Sequence, residues 1–302
     1  MDRIDAISLF LEIADRGSLT AAAESTERSL PTVVRTLAAL EQQLGIKLFN
    51  RTTRTLSLTE EGRIYRRHAL IIQAAVADSE RAVGLAQAEP MGTLTVTAPV
   101  KFGELHVAPL LCEFLRDWPK IQINLLLLDR IVNLVEEGID VAVRIAHLPD
   151  SELIAKHVAD IRQVIVASPE LILKHGAPTR PEDLAALPCI RSAGIGEAAT
   201  WDFQVEKKPV RVNVQGNLYC NQIGGAIAAC HGSVGFGRLL HYQVLPSLKS
   251  GLLKTVLEEF ELPARALSLV YPSNRQGSIR ISTFVRWLDL RLRERLEAVA
   301  LS

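Results

Sequence analysis

The sequence predicts an α-helical region with one small β-hairpin up to about residue 91, followed by an α/β region over the rest of the 302-residue chain. Three observations support this prediction. Apolar residues recur every three or four positions in the first region, strand and helix patterns alternate in the second, and basic residues gather in one short segment. A chain of this length is expected to form two or more domains.

The formal net charge is zero, but charge is unevenly distributed. Residues 1–27 carry two arginines against six acids, a net −4, whereas residues 28–67 carry seven arginines and one lysine against three acids, a net +5. A local basic field favours phosphate binding even in a neutral chain. No apolar run is long enough to cross a bilayer, and acids interrupt the first apolar pattern, so we expect a cytoplasmic protein with no membrane partner.

Three helices are predicted first. Residues 3–15 place apolar side chains on one face, and Gly17 ends that helix. Ser18 is the N-cap of a short alanine-rich helix, and Ser29 begins a third helix that Gly45 ends. The order of helix, short helix, tight turn and longer helix is that of a helix-turn-helix, whose last helix enters the DNA major groove.

The third helix has an exposed side of mixed chemistry. Hydroxyl and guanidinium groups can hydrogen-bond to bases and phosphates, whereas Leu30 and Val34 can only touch an apolar edge such as a thymine methyl. The candidate DNA contacts of these helices are Ser18, Thr20, Arg28, Ser29, Leu30, Pro31, Thr32, Val34, Arg35 and Thr36.

The stretch "IKLFNRTTRTLSLTEEG" predicts a two-stranded hairpin with a cationic tip. Arg51, Thr53 and Arg54 are candidate phosphate donors there. A solvated loop would explain the hairpin alone equally well, but beside the three helices a wing is favoured.

A long helix is predicted from about Glu60 to Ala88, with a narrow apolar seam that three short helices cannot cover. A partner helix, and so a dimer, is the economical explanation. "QAEPMG" then marks a linker. The predicted domains are 1–59 for DNA binding, 60–91 for the dimerisation helix and hinge, and 92–302 for the α/β region.

Beyond residue 92, strands such as "TLTVTAPV", "IQINLLLL" and "DVAVRIA" alternate with helices predicted at "GELHVAPLLCEFLRDW" and "IVNLVEEG". This alternation predicts a parallel, doubly wound α/β sheet. Further strands are expected at "QVIVAS", "CIRS", "WDFQV", "VRVNVQ", "VGFG" and "ALSLVY", with a helix at "NQIGGAIAACHG" and a terminal helix from Ile279.

These segments together resemble a LysR-type transcriptional regulator. The resemblance covers essentially the whole chain and is most specific in "MDRIDAISLFLEIADRGSLTAAAEST" and "LAALEQQLGIKLFNRTTRTLSLTEEG", with "LVEEGIDVAVRI" continuing it. It implies a winged helix-turn-helix, a linker helix that pairs two chains into dimers and then tetramers, and a two-lobed effector domain like that of periplasmic binding proteins. Lobe I would span about 92–161 and 267–302, and lobe II about 162–266.

The resemblance implies a homotetramer that binds double-stranded DNA at a partly palindromic promoter site, with RNA polymerase as a candidate further partner. No cofactor is implied beyond a small-molecule effector. At the start of the third helix, members of the family usually have Gln, then a small residue or Pro, then a hydrophobe and Ser before Arg. The corresponding stretch here consists of Leu30, Pro31, Thr32, Val33, Val34 and Arg35. We therefore expect a changed target sequence, read mainly through Thr32, Arg35 and Thr36.

A ligand of an open α/β sheet binds at the carboxyl ends of the strands, and between lobes when there are two. Arginines and a free helix N-terminus in these segments make an organic anion the natural effector, although Arg144 could equally be a structural ion-pair partner. The candidate effector residues are Ala98, Pro99, Val100, Lys101, Phe102, Arg144, Ile145, His147, Arg191, Ser192, Asn217, Cys220 and Asn221.

Other functions fit the same residues less well. The four cysteines and seven histidines show no zinc spacing, Cys220 and Cys230 fit a buried helix better than a redox pair, and "GSVGFG" has the wrong order for a nucleotide loop. An enzyme would lack a recognisable catalytic motif and leave the basic region unexplained. A solute receptor or a regulator without a ligand pocket would not need both regions.

Overall fold

The computed structural model describes residues 2–51, 56–84, 89–146, 153–192, 199–275 and 277–301. The first region consists of α1 (Arg3–Arg16), α2 (Leu19–Ser25), α3 (Leu30–Leu44), β1 (Phe49–Arg51), β2 (Leu56–Leu58) and α4 (Glu60–Gly84). The predicted winged helix-turn-helix is confirmed, with β1 and β2 forming an antiparallel hairpin.

Side-chain caps fix the ends of these helices. The hydroxyl oxygens of Ser18 and Ser29 accept hydrogen bonds from the first turns of α2 and α3, as predicted. Gly17 and Gly45 end α1 and α3 with φ of 62° and 72°, a left-handed conformation that glycine adopts without strain. The local sequence therefore sets the boundaries of the helix-turn-helix.

A small apolar core joins the helices to the wing. Phe10 of α1 contacts Phe49 of β1 and Tyr65 of α4, with ring centroids 5.4 and 5.0 Å apart. Gly62 lets α4 cross close to the base of the wing, since a Cβ at this position would lie 2.0 Å from the carbonyl oxygen of Leu48. The wing and α4 are thus held against α1.

The α/β region contains two five-stranded sheets. The first has the order β4 (Ile121–Leu127), β3 (Gly92–Ala98), β5 (Val141–Ile145), β14 (Arg265–Pro272) and β6 (Leu153–Ile161). The second has the order β11 (Tyr219–Cys220), β8 (Cys189–Ser192), β12 (Phe236–Leu240), β7 (Gln163–Ala167) and β13 (Lys254–Val256). We call the regions around these sheets the first lobe and the second lobe.

Helices and a small hairpin complete the lobes. The hairpin is β9 (Thr200–Val205) with β10 (Lys208–Asn213), and the helices are α5 (Val100–Phe102), α6 (Ala108–Asp117), α7 (Pro169–His175), α8 (Ile223–His231), α9 (His241–Lys249) and α10 (Ile279–Leu301). A π-helical turn at Gly103–Val107 joins α5 to α6, and Pro181–Ala186 is a 3-10 helix.

The prediction of a parallel sheet was wrong, because both sheets are mixed. β3 is parallel to β4 and β5, but β14 is antiparallel to both β5 and β6. The chain passes from the first lobe to the second along β6 and returns along β14. Two strands that connect the same lobes in opposite directions must pair antiparallel when they are neighbours.

The helix predicted at "IVNLVEEG" is also absent; the segment forms a single turn. The side-chain oxygen of Asn133 accepts hydrogen bonds from the backbone N–H groups of Val135 and Glu136. Gly138 then ends the turn with φ of 68°. The Asn133 side chain and Gly138 favour a turn over a regular helix, although the spacing of the apolar residues would suit a helix.

Candidate DNA-reading face and ligand cavity

Arg28 is held by α1 rather than projecting from α3. Its Nη1 and Nη2 atoms donate to the two carboxylate oxygens of Asp5 at 2.9 and 2.5 Å. The hydrogen bonds from Arg28 lower the pKa of the Asp5 carboxyl. This bidentate pair ties the turn before α3 to α1, a structural role that the sequence did not reveal.

The exposed side of α3 combines one cation with apolar and hydroxyl groups. Arg35 is exposed, Leu30 is 42% exposed, and Thr32, Val34 and Thr36 are half-buried. Thr32 exchanges a hydrogen bond of 2.8 Å with the Ser29 hydroxyl. Pro31 is exposed in the first turn, as is Thr20 of α2, whereas Ser18 is half-buried by its capping role. Among the described residues, no acid forms an ion pair with Arg35.

Glu41 of α3 fixes the start of the wing. Its carboxylate is 3% exposed and accepts hydrogen bonds from the N–H groups of Leu48 and Phe49 and from the Lys47 amine. Burial acts to raise the pKa of Glu41, but these donors outweigh it and the pKa is lowered. Arg51 is the last residue of β1, while Thr53 and Arg54 lie outside the described residues.

A cavity of about 410 Å³, the interlobe cavity, lies between the lobes. The first lobe supplies the end of β3 with Pro99, the segment 128–132 and the end of β5. The second lobe supplies Ile223 at the start of α8, with Leu240, Tyr242 and Gln243. Its size suits a small organic molecule.

The interlobe cavity is cationic. Arg130, Arg144 and Arg265 line it, against the single carboxylate of Asp129. Arg130 is ion-paired with Glu137, and Arg144 donates to the carbonyl of Val132 at 2.5 Å. Arg144 and Arg265 are both half-buried, and this burial lowers the pKa of each guanidinium group. An anion would replace the water they have lost.

The structure brings together only some of the predicted effector residues. Ala98, Pro99, Arg144 and Ile145 line the interlobe cavity. His147 lies outside the described residues. Phe102 is fully buried in the first-lobe core, and Lys101 pairs with Glu104. The other predicted residues do not line this cavity: Val100, Arg191, Ser192, Asn217, Cys220 and Asn221.

Sequence reasoning missed several residues that do line the cavity, including Thr97, Tyr242, Gln243 and Arg265. Tyr242 belongs to α9 of the second lobe, yet its ring packs against Phe102 and His106 of the first lobe at centroid distances of 5.2 and 5.6 Å. This contact joins the lobes at the wall of the cavity. In the sequence, the only indication of this role is that residue 242 is aromatic.

The cysteines do not form a reactive pair. Burial raises the pKa of the Cys189 and Cys230 thiols to about 12, with nearby Cys220 adding to the shift of Cys230. Both thiols are therefore protonated at neutral pH. Within the described residues, no cluster of histidine, cysteine or acidic side chains could hold a metal ion, and no helix could span a membrane.

A winged helix-turn-helix joined to a two-lobed α/β domain with a cavity between its lobes defines a ligand-controlled DNA-binding regulator. Residues 4–63 match the bacterial regulatory helix-turn-helix proteins of the lysR family, and residues 87–293 match the LysR substrate binding domain. The chain therefore belongs to the LysR family of transcriptional regulators. As a member of this family it is a DNA-binding transcriptional regulator with an effector-binding domain, and it is not an enzyme.

Individual relatives agree with this assignment. An HTH-type transcriptional repressor of Pseudomonas aeruginosa is 32% identical over 290 residues, which cover 95% of this chain and 92% of the relative. The solved structure of CrgA, a LysR-type regulator from Neisseria meningitidis, is 30% identical, with a TM-score of 0.61 over 95% of this chain and 98% of CrgA. The Vibrio cholerae virulence activator AphB shares the fold at 22% identity, with a TM-score of 0.60 over 95% of this chain and 98% of its own.

Proposed function

We propose that α3 reads the major groove of a partly palindromic site mainly through Thr32, Arg35 and Thr36, while Leu30 and Val34 favour thymine methyl groups. The observation that carries this proposal is the pairing of Arg28 with Asp5, which makes Arg35 the exposed arginine of the described α3 face. Guanidinium groups bind guanine bidentately, and apolar side chains contact the thymine methyl.

The test compares the two arginines. Arg35→Ala should relax the preference at one base pair by about 1 to 3 kcal/mol, measured as binding to a selected site and its single-base variants. Arg28→Ala is the matched control and should leave the base preference unchanged. Equal losses on specific and random DNA for Arg35→Ala would contradict a reading role.

For the wing, we propose that Arg51, Thr53 and Arg54 bind phosphates and position α3 without reading sequence. The net charge of +5 on residues 28–67 supports this role. Ser18, Thr20 and Ser29 lie at helix starts, where free N–H groups can approach the DNA backbone, while Pro31 has no N–H and offers only apolar contact.

We infer that the effector is a small organic anion bound in the interlobe cavity by Arg144 and Arg265. The surplus of arginines over carboxylates there supports this, as does α8, which begins at the cavity. His147, which follows the cavity-lining Ala146 in the sequence, is a further candidate from the sequence alone. Binding would draw the lobes together and change the angle between dimers, to the extent that the anion prefers one arrangement.

A panel of carboxylates, tested by thermal shift on the full chain, would check the effector class. A hit should raise the melting temperature of the wild type and of Arg116→Gln, an exposed arginine remote from the cavity. Arg144→Gln should lose the shift. A hit that is neutral, or one that Arg144→Gln retains, would contradict the anion proposal.

The assembly is also a proposal. The apolar residues Ile64 and Ile72 of α4 are 42% and 40% exposed in the single chain, which supports pairing of α4 with the same helix of a second chain. We propose a dimer that pairs again into a tetramer, works in the cytoplasm, and contacts RNA polymerase when bound at a promoter. The division at residues 59 and 91, and the lobe boundaries at about 161 and 267, remain predictions consistent with the sheets.

A further inference from the structure

The uncharged polar side chains that line the interlobe cavity are already bonded within the protein. The Thr97 hydroxyl donates to the carbonyl of Leu126 at 2.8 Å. The side-chain oxygen of Gln243 accepts from the Leu240 N–H at 2.9 Å, and its amide N–H donates to the Tyr242 hydroxyl at 3.3 Å. A ligand hydroxyl beside these groups would lose water and gain few new partners.

Polar groups at the strand ends are engaged in the same way. The carbonyl oxygen of Ala98, at the end of β3, accepts a hydrogen bond from the Leu128 N–H at 2.9 Å. The Asp129 carboxylate accepts from the Val100 N–H at 3.0 Å. Because Asp129 carries a negative charge in the lining, it also disfavours a second anionic group on the ligand.

Arg265 differs from the other two arginines of the lining. Arg130 is held by an ion pair, and Arg144 by a hydrogen bond to a backbone carbonyl. Within the described ranges, the Arg265 guanidinium forms neither, and Asp202 acts on it only through its longer-range field. Asp202 is itself ion-paired with Arg211 at 2.9 Å. One guanidinium with all its donors open suits a ligand with one carboxylate.

Apolar side chains make up most of both walls of the interlobe cavity. The first lobe contributes Val143 and Ile145, and the second lobe contributes Ile223 and the ring of Tyr242. A ligand held between these walls buries its surface against carbon atoms on two sides. Burial of this kind stabilises an apolar body and disfavours a hydroxylated one.

Ile131 is the most exposed of the apolar side chains in the described lining. It is 92% exposed, whereas the neighbouring Val132 is 6% exposed. The segment that carries Ile131 is well bonded, since Arg130 donates to both carboxylate oxygens of Glu137 and the Asn133 side chain accepts from the turn that follows. A structured segment therefore holds an isoleucine in water at the cavity, where a ligand can cover it.

We propose that the interlobe effector is a monocarboxylate with an apolar body, and that Ile131 packs on this body and excludes hydroxylated analogues. The inference rests on the proposed anion site and adds the class of the anion. The carboxylate contacts Arg265 and Arg144, and the apolar body lies between the two walls. Ile131 is thus a specificity-determining residue, because its contact stabilises an apolar surface and gives a hydroxyl no partner.

The first experiment compares two ring carboxylates of similar shape and equal charge, cyclohexanecarboxylate and its tetrahydroxy analogue quinate, by calorimetric titration of the full-length chain. Cyclohexanecarboxylate should bind saturably and at least about tenfold more tightly than quinate, because the quinate hydroxyls must lose water. Cyclohexanemethanol is the neutral control and should bind much more weakly than cyclohexanecarboxylate.

The outcomes separate this inference from the proposal on which it rests. Quinate binding as tight as that of cyclohexanecarboxylate, or tighter, overturns the apolar class and leaves the anion site intact. Equal binding of cyclohexanemethanol contradicts the anion site itself. If none of the three compounds binds saturably, the apolar class is overturned, and the wider carboxylate panel then decides whether the anion site stands.

Variants test the role of Ile131. Ile131→Ser should weaken cyclohexanecarboxylate binding about three- to tenfold and leave quinate binding unchanged, and it should fold normally because the side chain is exposed. Ile131→Leu should keep the wild-type preference. Leu173→Ser is the matched control, since this leucine of α7 is 89% exposed and lies outside the cavity lining. Unchanged discrimination by Ile131→Ser, or the same change in Leu173→Ser, overturns this role.

Discussion

Arg28 precedes α3 and Arg35 lies within it, and the structure gives the two arginines different surroundings. Arg28 is bound bidentately by Asp5, whereas Arg35 is exposed on α3. We predict that Arg28→Ala lowers the free energy of unfolding by about 0.5 to 1 kcal/mol, since both partners are partly exposed. Urea denaturation measures this loss. Asp5→Ala should cost a similar amount, and additive losses in the double variant would contradict the pairing.

His106 provides a second test at the residue scale. Its ring is 6% exposed between Phe102 and Tyr242, and burial, with Arg295 nearby, lowers its pKa from 6.5 to about 4. Between these pH values the unfolded chain binds a proton that the folded chain does not. The free energy of unfolding should therefore fall as the pH is lowered from 6.5 to 4, by roughly 2 to 3 kcal/mol from this group.

Denaturation of wild type and His106→Leu at several pH values checks this. The variant should lack that part of the pH dependence, whereas His175→Gln, an exposed histidine on α7, should retain it. Parallel pH curves for the wild type and His106→Leu would show that the ring is solvated in the folded state.

At the scale of elements, Glu41 links the recognition helix to the wing. Glu41→Leu would leave the N–H groups of Leu48 and Phe49 without their acceptor, and we predict a loss of roughly 2 to 4 kcal/mol in stability. The pKa of Glu41 is lowered in the folded protein, so its contribution is present above its ordinary value of 4.5 and is lost as the pH falls below it.

Because the wing would lose its anchor, Glu41→Leu should also weaken binding to all DNA sequences alike. Glu41→Gln keeps an oxygen acceptor and should have a much smaller effect on both stability and DNA binding. Denaturation and binding to specific and random duplexes measure the two effects. A stable Glu41→Leu protein with normal binding would show that β1 and β2 position the wing without this carboxylate.

Local signals predicted elements well where capping chemistry was present. Ser18, Ser29 and Gly45 marked helix boundaries because they act on their immediate neighbours. The helix expected near Asn133 failed because one side chain captured two backbone donors. β6 was not predicted at all, since this edge strand mixes Lys156 and Asp160 with apolar residues and has a partner on one side only.

At the scale of the whole molecule, the chain passes twice between the lobes. Arg162, the residue between β6 and β7, is ion-paired with Glu261 on the returning segment. Tyr242 adds an aromatic contact across the lobes beside the interlobe cavity. We propose that movement of the lobes about these crossings is the route by which a bound anion affects the DNA-binding region.

The interlobe cavity shows why a site is only partly predictable. Pro99 and Arg144 could be placed there because Pro99 follows β3 and Arg144 lies at the carboxyl end of β5 in the same sheet. Arg265 and Tyr242 come more than about 95 residues later, and only the return of β14 and the packing of α9 bring them to the cavity. Because β14 runs antiparallel to β5, the start of β14, with Arg265, lies beside the carboxyl end of β5 and therefore at the cavity.

The positive charge of the wing leads to a prediction for the salt dependence of the complex with DNA. Arg51→Ala with Arg54→Ala should weaken binding to every duplex, and the slope of log affinity against log salt should fall by about 2, since two phosphate contacts are lost. Titrations at several salt concentrations measure the slope. An unchanged slope would remove the wing from the DNA contacts.

The central claim is that the α3 face reads a partly palindromic sequence as a dimer. The most direct measurement is selection of bound sites from a random duplex library by the full-length protein at near-physiological salt. We predict enrichment of a motif with two related half-sites about one or two helical turns apart, whose preference at one base pair is relaxed by Arg35→Ala. Retained, salt-sensitive binding with no enriched motif would contradict the claim and leave α3 with phosphate contacts alone.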